Sequence, residues 1–294
     1  MADSYVWTSA DGVVIDLSDT SAGLSVLARG TTGFRGLRHE FTTSKFAGVD
    51  GDSVQAIRAG SNAPTLGMLL EASSEDDFID RSRALVRAMR PRVNGQPAPG
   101  QLTVTRTGRT PRTLRCFVTE GLEGDEDPGS VLPGAWWRFQ LKFLAPDPWW
   151  VGPLQYVNVG LAAPSLFFPF FPLNLSASTV QGQFIVDLSE SDAPSYPVWT
   201  ITGPGDSLVL TNNTTGRTIE VNSPVADNQT IVIDTRPGMQ SVRSGSGTNL
   251  MHTLASDPAL WSLVEGVQQV TALLTNAGPN SRISGAFEPK FAGI

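Results

Sequence analysis

The chain has 294 residues, of which 40% are hydrophobic and 17% charged, enough to bury two ordinary cores. Its net charge of −7 argues against a phosphate-neutralising nucleic-acid surface, and its single cysteine, Cys116, excludes an intramolecular disulfide and a cysteine zinc cage. Residues 1–150 hold 16 of the 21 basic and 18 of the 28 acidic side chains, leaving 5 and 10 for the sparsely charged remainder, a shift that predicts a domain boundary near residue 150.

In chain order, MADSYVWTSADG lacks the basic region and apolar run of a secretory signal. Tyr5–Thr8 and Val13–Leu17 flank Asp11-Gly12 and predict an opening hairpin. Gly30, Gly33 and Gly36 read as a loop, since no helix follows to make them a phosphate cradle. Asp50-Gly51 marks a turn, and Thr65–Leu70 a strand. Ser73-Ser74, the acids Glu75, Asp76 and Asp77, and the closing Arg87, Arg90 and Pro91 delimit one capped helix, with Phe78, Ser82, Leu85, Val86 and Met89 assigned to its packed face. Gln101–Thr107 and Thr113–Thr119 form a further strand pair. The acids from Glu120 to Asp127 lack the ligand spacing of a calcium loop and read as a solvated turn. From Trp137 to Phe143 apolar and polar residues alternate, the period of a half-buried strand, and Pro146-Asp147-Pro148 stops it just before Trp149-Trp150.

Residues 151–190 read as a linker or arm. Phe167, Phe168, Phe170 and Phe171 lie among prolines that exclude helix and central strand, so their rings must pack either on the chain's own domains or on another subunit. Residues 191–294 then show strands at short intervals: Val198–Thr202, Leu208–Thr211, Thr218–Val221, Ile231–Thr235, Val270–Leu274 and Arg282–Phe287, with Asn212–Gly216 as a hairpin turn. Asp257-Pro258 starts a single helical plug through Leu263. The fold class is therefore mainly β.

No catalytic, cofactor-binding or metal-binding residues are assigned. His39 and His252 fall in different domains without a nucleophile motif, and Ser244–Gly247 lacks the context of a nucleophile elbow. The longest apolar segment, Leu161–Leu175, is broken by three prolines, so no membrane span is expected. Tyr196 and Trp199 are the candidate glycan contacts, but Trp199 alternates with Val198 inside a strand, so core packing is the favoured use.

The strand ending in Ala145-Pro-Asp-Pro-Trp-Trp150 resembles the end of the N-terminal domain in distal tail proteins of long-tailed bacteriophages, and the order of elements across 1–150, with Asp11-Gly12, Asp50-Gly51 and the helix end Leu85–Pro91, is similar to that family's belt domain. Asn212–Val221, Ile231–Thr235, Gly247–Leu250, Trp261–Leu263 and Gly266 resemble its C-terminal domain in the same order. The resemblance implies a split β-barrel-like belt domain with one helix and a galectin-like antiparallel β-sandwich, the last residues returning to the belt. It further implies a structural virion protein without enzymatic activity at the tail tip, assembled in the host cytoplasm. There it forms a homohexameric ring that joins the tail tube protein to the tail-associated hub protein, with the tape-measure protein as a further neighbour. Phe167, Phe168, Phe170, Phe171, Trp149 and Trp150 are then the candidate subunit contacts. A host-recognition carbohydrate-binding protein and a tail-tube subunit are the competing readings.

Overall fold

A computed structural model describes residues 3–48, 50–124, 136–160, 165–168, 171–175, 179–255 and 260–294, with backbone alone for 165–168 and 171–175. The chain divides into two units, 1–152 with 291–294, and 153–290.

In the first unit β1 (Ser4–Thr8), β2 (Val14–Asp16), β3 (Leu24–Thr32), β4 (His39–Ser44), β5 (Ser53–Ala59) and β6 (Thr65–Glu71) precede the helix α1 (Glu75–Ala88). After it come β7 (Arg92–Val93), β8 (Gln96–Pro97), β9 (Gly100–Thr105), β10 (Arg112–Glu120), β11 (Trp136–Leu144) and β12 (Trp150–Val151). The main sheet is antiparallel in the order β2-β1-β9-β10-β11-β6-β3. β10 turns the corner: its residues Arg112–Cys116 pair with β9, and those from Phe117 onward pair with β11 across a bulge at Val118–Glu120. The path ends on β2 and β3, so among the described residues the sheet is open rather than a closed barrel.

β11 shows the alternation its sequence dictates, with Phe139, Leu141 and Phe143 buried and Arg138, Gln140 and Lys142 exposed. Its ladder stops at the Pro-Asp-Pro run. Asn62 takes over there, exchanging backbone hydrogen bonds with Ala145 at 3.0 and 2.7 Å and donating its side-chain amide to the Pro148 carbonyl at 3.2 Å. Trp150 then re-enters the sheet beside β10.

The helix is held at both ends by its own sequence. Ser74 Oγ accepts from the Asp77 amide at 3.2 Å, and the Asp77 carboxylate accepts from the Ser73 amide at 3.0 Å and from Arg81 at 2.6 Å. Those bonds hold the Asp77 carboxyl below its ordinary value of 3.8, Arg81 contributing most. At the other end the indole of Trp7 donates to the Ala88 carbonyl at 2.8 Å. The packed face runs through Phe78, Leu85, Ala88 and Met89; Val86, expected on it, is 42% exposed because a step of eleven residues along the chain brings 89, not 86, back over Phe78.

Gly30 and Gly33, expected in a loop, border an extended but irregular strand. β3 loses register with β6 between Leu27 and Thr32, and the left-handed backbone at Gly30 (φ 92°) carries the bulge.

The second unit pairs two antiparallel sheets. One has the order β13-β23-β17-β20-β21 and the other β16-β22-β18-β19. Their strands are β13 (Gln155–Gly160), β16 (Thr179–Leu188), β17 (Val198–Thr202), β18 (Leu208–Asn212), β19 (Arg217–Val221), β20 (Thr230–Asp234), β21 (Ser241–Ser244), β22 (Gly266–Thr275) and β23 (Arg282–Phe287), with β14 (Ser165–Phe168) and β15 (Phe171–Leu175) forming a separate two-stranded ribbon. Buried residues of both sheets, among them Trp199, Ile233, Leu210 and Val270, share one core, which makes a β-sandwich.

This corrects the linker reading of 151–190. Gln155–Gly160 pairs along its whole length with β23, and Thr179–Leu188 with β22, so both segments are sandwich strands. The prolines fall between them, where β14 and β15 have no central position to fill. Leu260–Leu263 also carries no helix, Leu263 bridging Ser195, while Asp257-Pro258 lies outside the described residues. The chain end returns to the first unit, where the Arg112 guanidinium lies 3.6 Å from the centre of the Phe291 ring and the Ile294 amide donates to Phe34 at 2.9 Å.

Candidate assembly surface

The most unusual surface of the first unit is the ribbon β4–β5. Among the described residues each strand pairs only with the other, and none of its residues is buried. Direct cross-strand partners share a face, so the pairs His39↔Ala59 and Phe41↔Ile57 lie on one side, and Glu40↔Arg58 and Thr42↔Ala56 on the other. The register shift between Thr42 and Thr43 then brings Val54 opposite Thr43, back onto the side of Phe41. The ribbon is therefore amphipathic. Phe41, Val54 and Ile57 are 59%, 52% and 60% exposed, and Phe46 at the turn adds another 59% exposed ring. The opposite face is polar and closed by the Glu40–Arg58 ion pair at 2.7 Å. An isolated two-stranded ribbon is marginal in water, and a contiguous exposed apolar face marks an interaction surface. The sequence signalled only its turn, Asp50-Gly51, because no partner sheet imposes a buried-exposed alternation on it.

Two clefts flank β3. One, of about 640 Å³, is lined by Leu27, Ala28, Arg29, Arg138, Phe139 and Gln140. The other, of about 740 Å³, contains Asp3, Tyr5 and Arg106. There Arg106 binds the Asp3 carboxylate and donates to the Tyr5 hydroxyl at 2.9 Å, while the Thr107 amide donates to Asp3 at 3.1 Å. The Arg106 bond, first among these, holds the Asp3 carboxyl below 3.8. This cluster clasps the N-terminal strand to the end of β9.

The residues singled out in the sequence are dispersed. Trp150 is fully buried against Phe34, ring centres 5.8 Å apart, so it belongs to the first unit's own core and not to a subunit contact. Trp149 is half-buried. Phe167, Phe168 and Phe171 lie on β14 and β15, and Phe170 lies outside the described residues. Trp199 is likewise no glycan contact: it is 1% exposed, wedged between Phe184 and Trp261 at 5.8 and 5.7 Å. Tyr196 is half-buried with the Lys290 ammonium 5.3 Å from its ring centre. His39 and His252 are both exposed and sit in different units. Burial pushes the Cys116 thiol up to about 12, which leaves it protonated and inert. Among the described residues no cluster of three metal-binding side chains occurs, and no helix is long and apolar enough to cross a membrane. Asp125–Asp127 of the acidic run lie outside the described residues.

Residues 190–291 match the family of siphovirus-type tail components over their C-terminal domain. The whole fold is similar to that of the SPP1 Dit protein, described as a paradigm of hub adsorption apparatus in phages infecting Gram-positive bacteria. The TM-score is 0.64 at 16% identity, covering 98% of this chain and 99% of that one. A chain of the phage P2 baseplate in its activated conformation with Ca aligns over 100% of both chains, with a TM-score of 0.53 at 11% identity. No curated protein sequence matches.

Proposed function

For a chain whose residues 190–291 match the siphovirus-type tail component family, and whose fold is similar throughout to that of the SPP1 Dit protein, we propose a structural hub subunit of the virion tail tip. Copies assemble through their first units into a ring, sixfold as in the resemblance drawn above. The ring joins the tail tube protein above to the tail-associated hub protein below, next to the tape-measure protein, and DNA passes through it.

The observation that carries this reading is the β4–β5 ribbon. Its apolar face has no partner among the described residues, and a ring supplies one to every copy at once. The net charge of −7 suits a channel that must pass phosphates without holding them. The Phe-rich ribbon β14–β15 and Trp149 serve as a further contact to a neighbouring subunit. Carbohydrate binding is the weaker reading, since Trp199 is committed to the core.

Electron microscopy and light scattering on the purified full-length chain test this. Rings with a central hole are expected; a protein that stays monomeric at tens of micromolar, a concentration at which interfaces of ordinary size are occupied, sinks the proposal.

A further inference from the structure

A ring needs two different patches on each subunit, one to offer and one to receive. The ribbon is the first. We infer, resting on the ring reading above, that the second is the 640 Å³ cleft between β3 and β11, and that the apolar ribbon face of one copy seats in this cleft of the next.

The cleft exists because β3 departs from β6. Between Leu27 and Thr32 the ladder is interrupted, Thr31 Oγ1 donates back to the Leu27 carbonyl at 2.6 Å, and the same oxygen accepts from the Gly67 amide at 3.0 Å in place of a backbone carbonyl. The bulge passes so close that a Cβ on residue 67 would lie 2.4 Å from the Arg29 carbonyl oxygen, so glycine is required there. The result is a concave site with Leu27, Ala28 and Phe139 as apolar lining and Gln140 as a hydrogen-bonding group. β3 is also the last strand of its sheet, so the lip of the cleft is an open edge.

Charge matches the two patches. Arg29 and Arg138 line the cleft, both are exposed, and neither has an ion pair among the described residues. The ribbon carries exposed Asp50 and Asp52 at its turn, outweighing the one cation there, Lys45. The Glu40–Arg58 pair neutralises the face turned away. A second copy of this chain thus presents an apolar strip with an acidic tip to an apolar floor with a basic rim, and opposite charges across an interface set the docking register. Because ribbon and cleft are different patches, the contact propagates head to tail instead of stopping at a dimer, as a ring requires.

Two variants of the full chain that each add one cysteine, Asp52→Cys and Arg138→Cys, test the contact; the native Cys116 is fully buried and silent. Mixed and treated with a short bis-maleimide, they are expected to give a cross-linked pair that neither variant gives alone. In parallel, Asp52→Arg and Arg138→Asp each raise the concentration for half-assembly at least tenfold, and the double variant restores it. These positions are exposed, so folding is spared. Rings that persist in Phe41→Ser/Ile57→Ser, or a mixture that cross-links no better than its components, overturn the ribbon-in-cleft contact and leave the ring itself standing. A monomeric wild type overturns both.

Discussion

Replacing Trp199 by alanine should destabilise the second unit rather than silence a ligand site. The ring is 1% exposed, touches Phe184 and Trp261, and covers Gly285, where a Cβ would lie 2.5 Å from its Cζ3. Burying a tryptophan removes about 150–250 Å² from water, which at roughly 25 cal/mol per Å² is about 4–6 kcal/mol. Large-to-small core substitutions of this kind cost about 3–5 kcal/mol, so the two routes agree. With a urea slope of about 2 kcal/mol per molar, the transition of this unit should move down by about 2 M. Trp199→Phe should cost far less. The indole Nε1 has no hydrogen-bond partner among the described residues, and losing a buried donor of that kind recovers about 1–3 kcal/mol of the packing loss. Urea titrations followed by circular dichroism measure both. An alanine variant with an unshifted midpoint would refute the core assignment and return Trp199 to the candidates for glycan contact.

Ser74→Ala removes the cap of α1 and should cost the first unit about 1 kcal/mol in a urea titration, with Ser74→Asp nearly neutral. Asp3 and Asp77 both titrate below 3.8 in the folded chain, so the stability they contribute is complete above that value and lost as pH falls through their lower native values. Asp77→Asn should therefore lower the urea midpoint at neutral pH and leave it less sensitive to acid; an equally steep acid limb in the variant contradicts this. Cys116 should resist a thiol reagent at mildly alkaline pH in the folded chain and react fully in urea. Serine at Phe167, Phe168 and Phe171 together should weaken oligomers seen by light scattering without shifting the urea midpoint of either unit; unchanged oligomers remove β14–β15 from the interface.

Where the physics is local, the sequence was legible. The alternation along Trp136–Leu144, the Pro-Asp-Pro stop and the Ser74 cap each depend on residues within a few positions of one another, and all appear as expected. Val198–Thr202 and Arg282–Phe287 were readable as strands because burial against a second sheet enforces their period of two. The β4–β5 ribbon escaped because nothing among the described residues covers it, so no alternation is imposed. Residues 155–160 and 179–188 escaped because the proline-rich stretch between them dominated the composition of the whole segment.

The sequence by itself determined a two-part, mainly β chain with one capped helix, a break near residue 150 and a family resemblance, since pattern, caps and prolines act through neighbours in the chain. Only the tertiary structure decided which tryptophans are spent inside. Trp150 looks as available as any aromatic until strands far away in sequence close over it, as they do over Trp199, whereas Phe41 and Ile57 stay exposed. Burial is a property of what packs opposite a residue, and that partner is set by long-range sheet register.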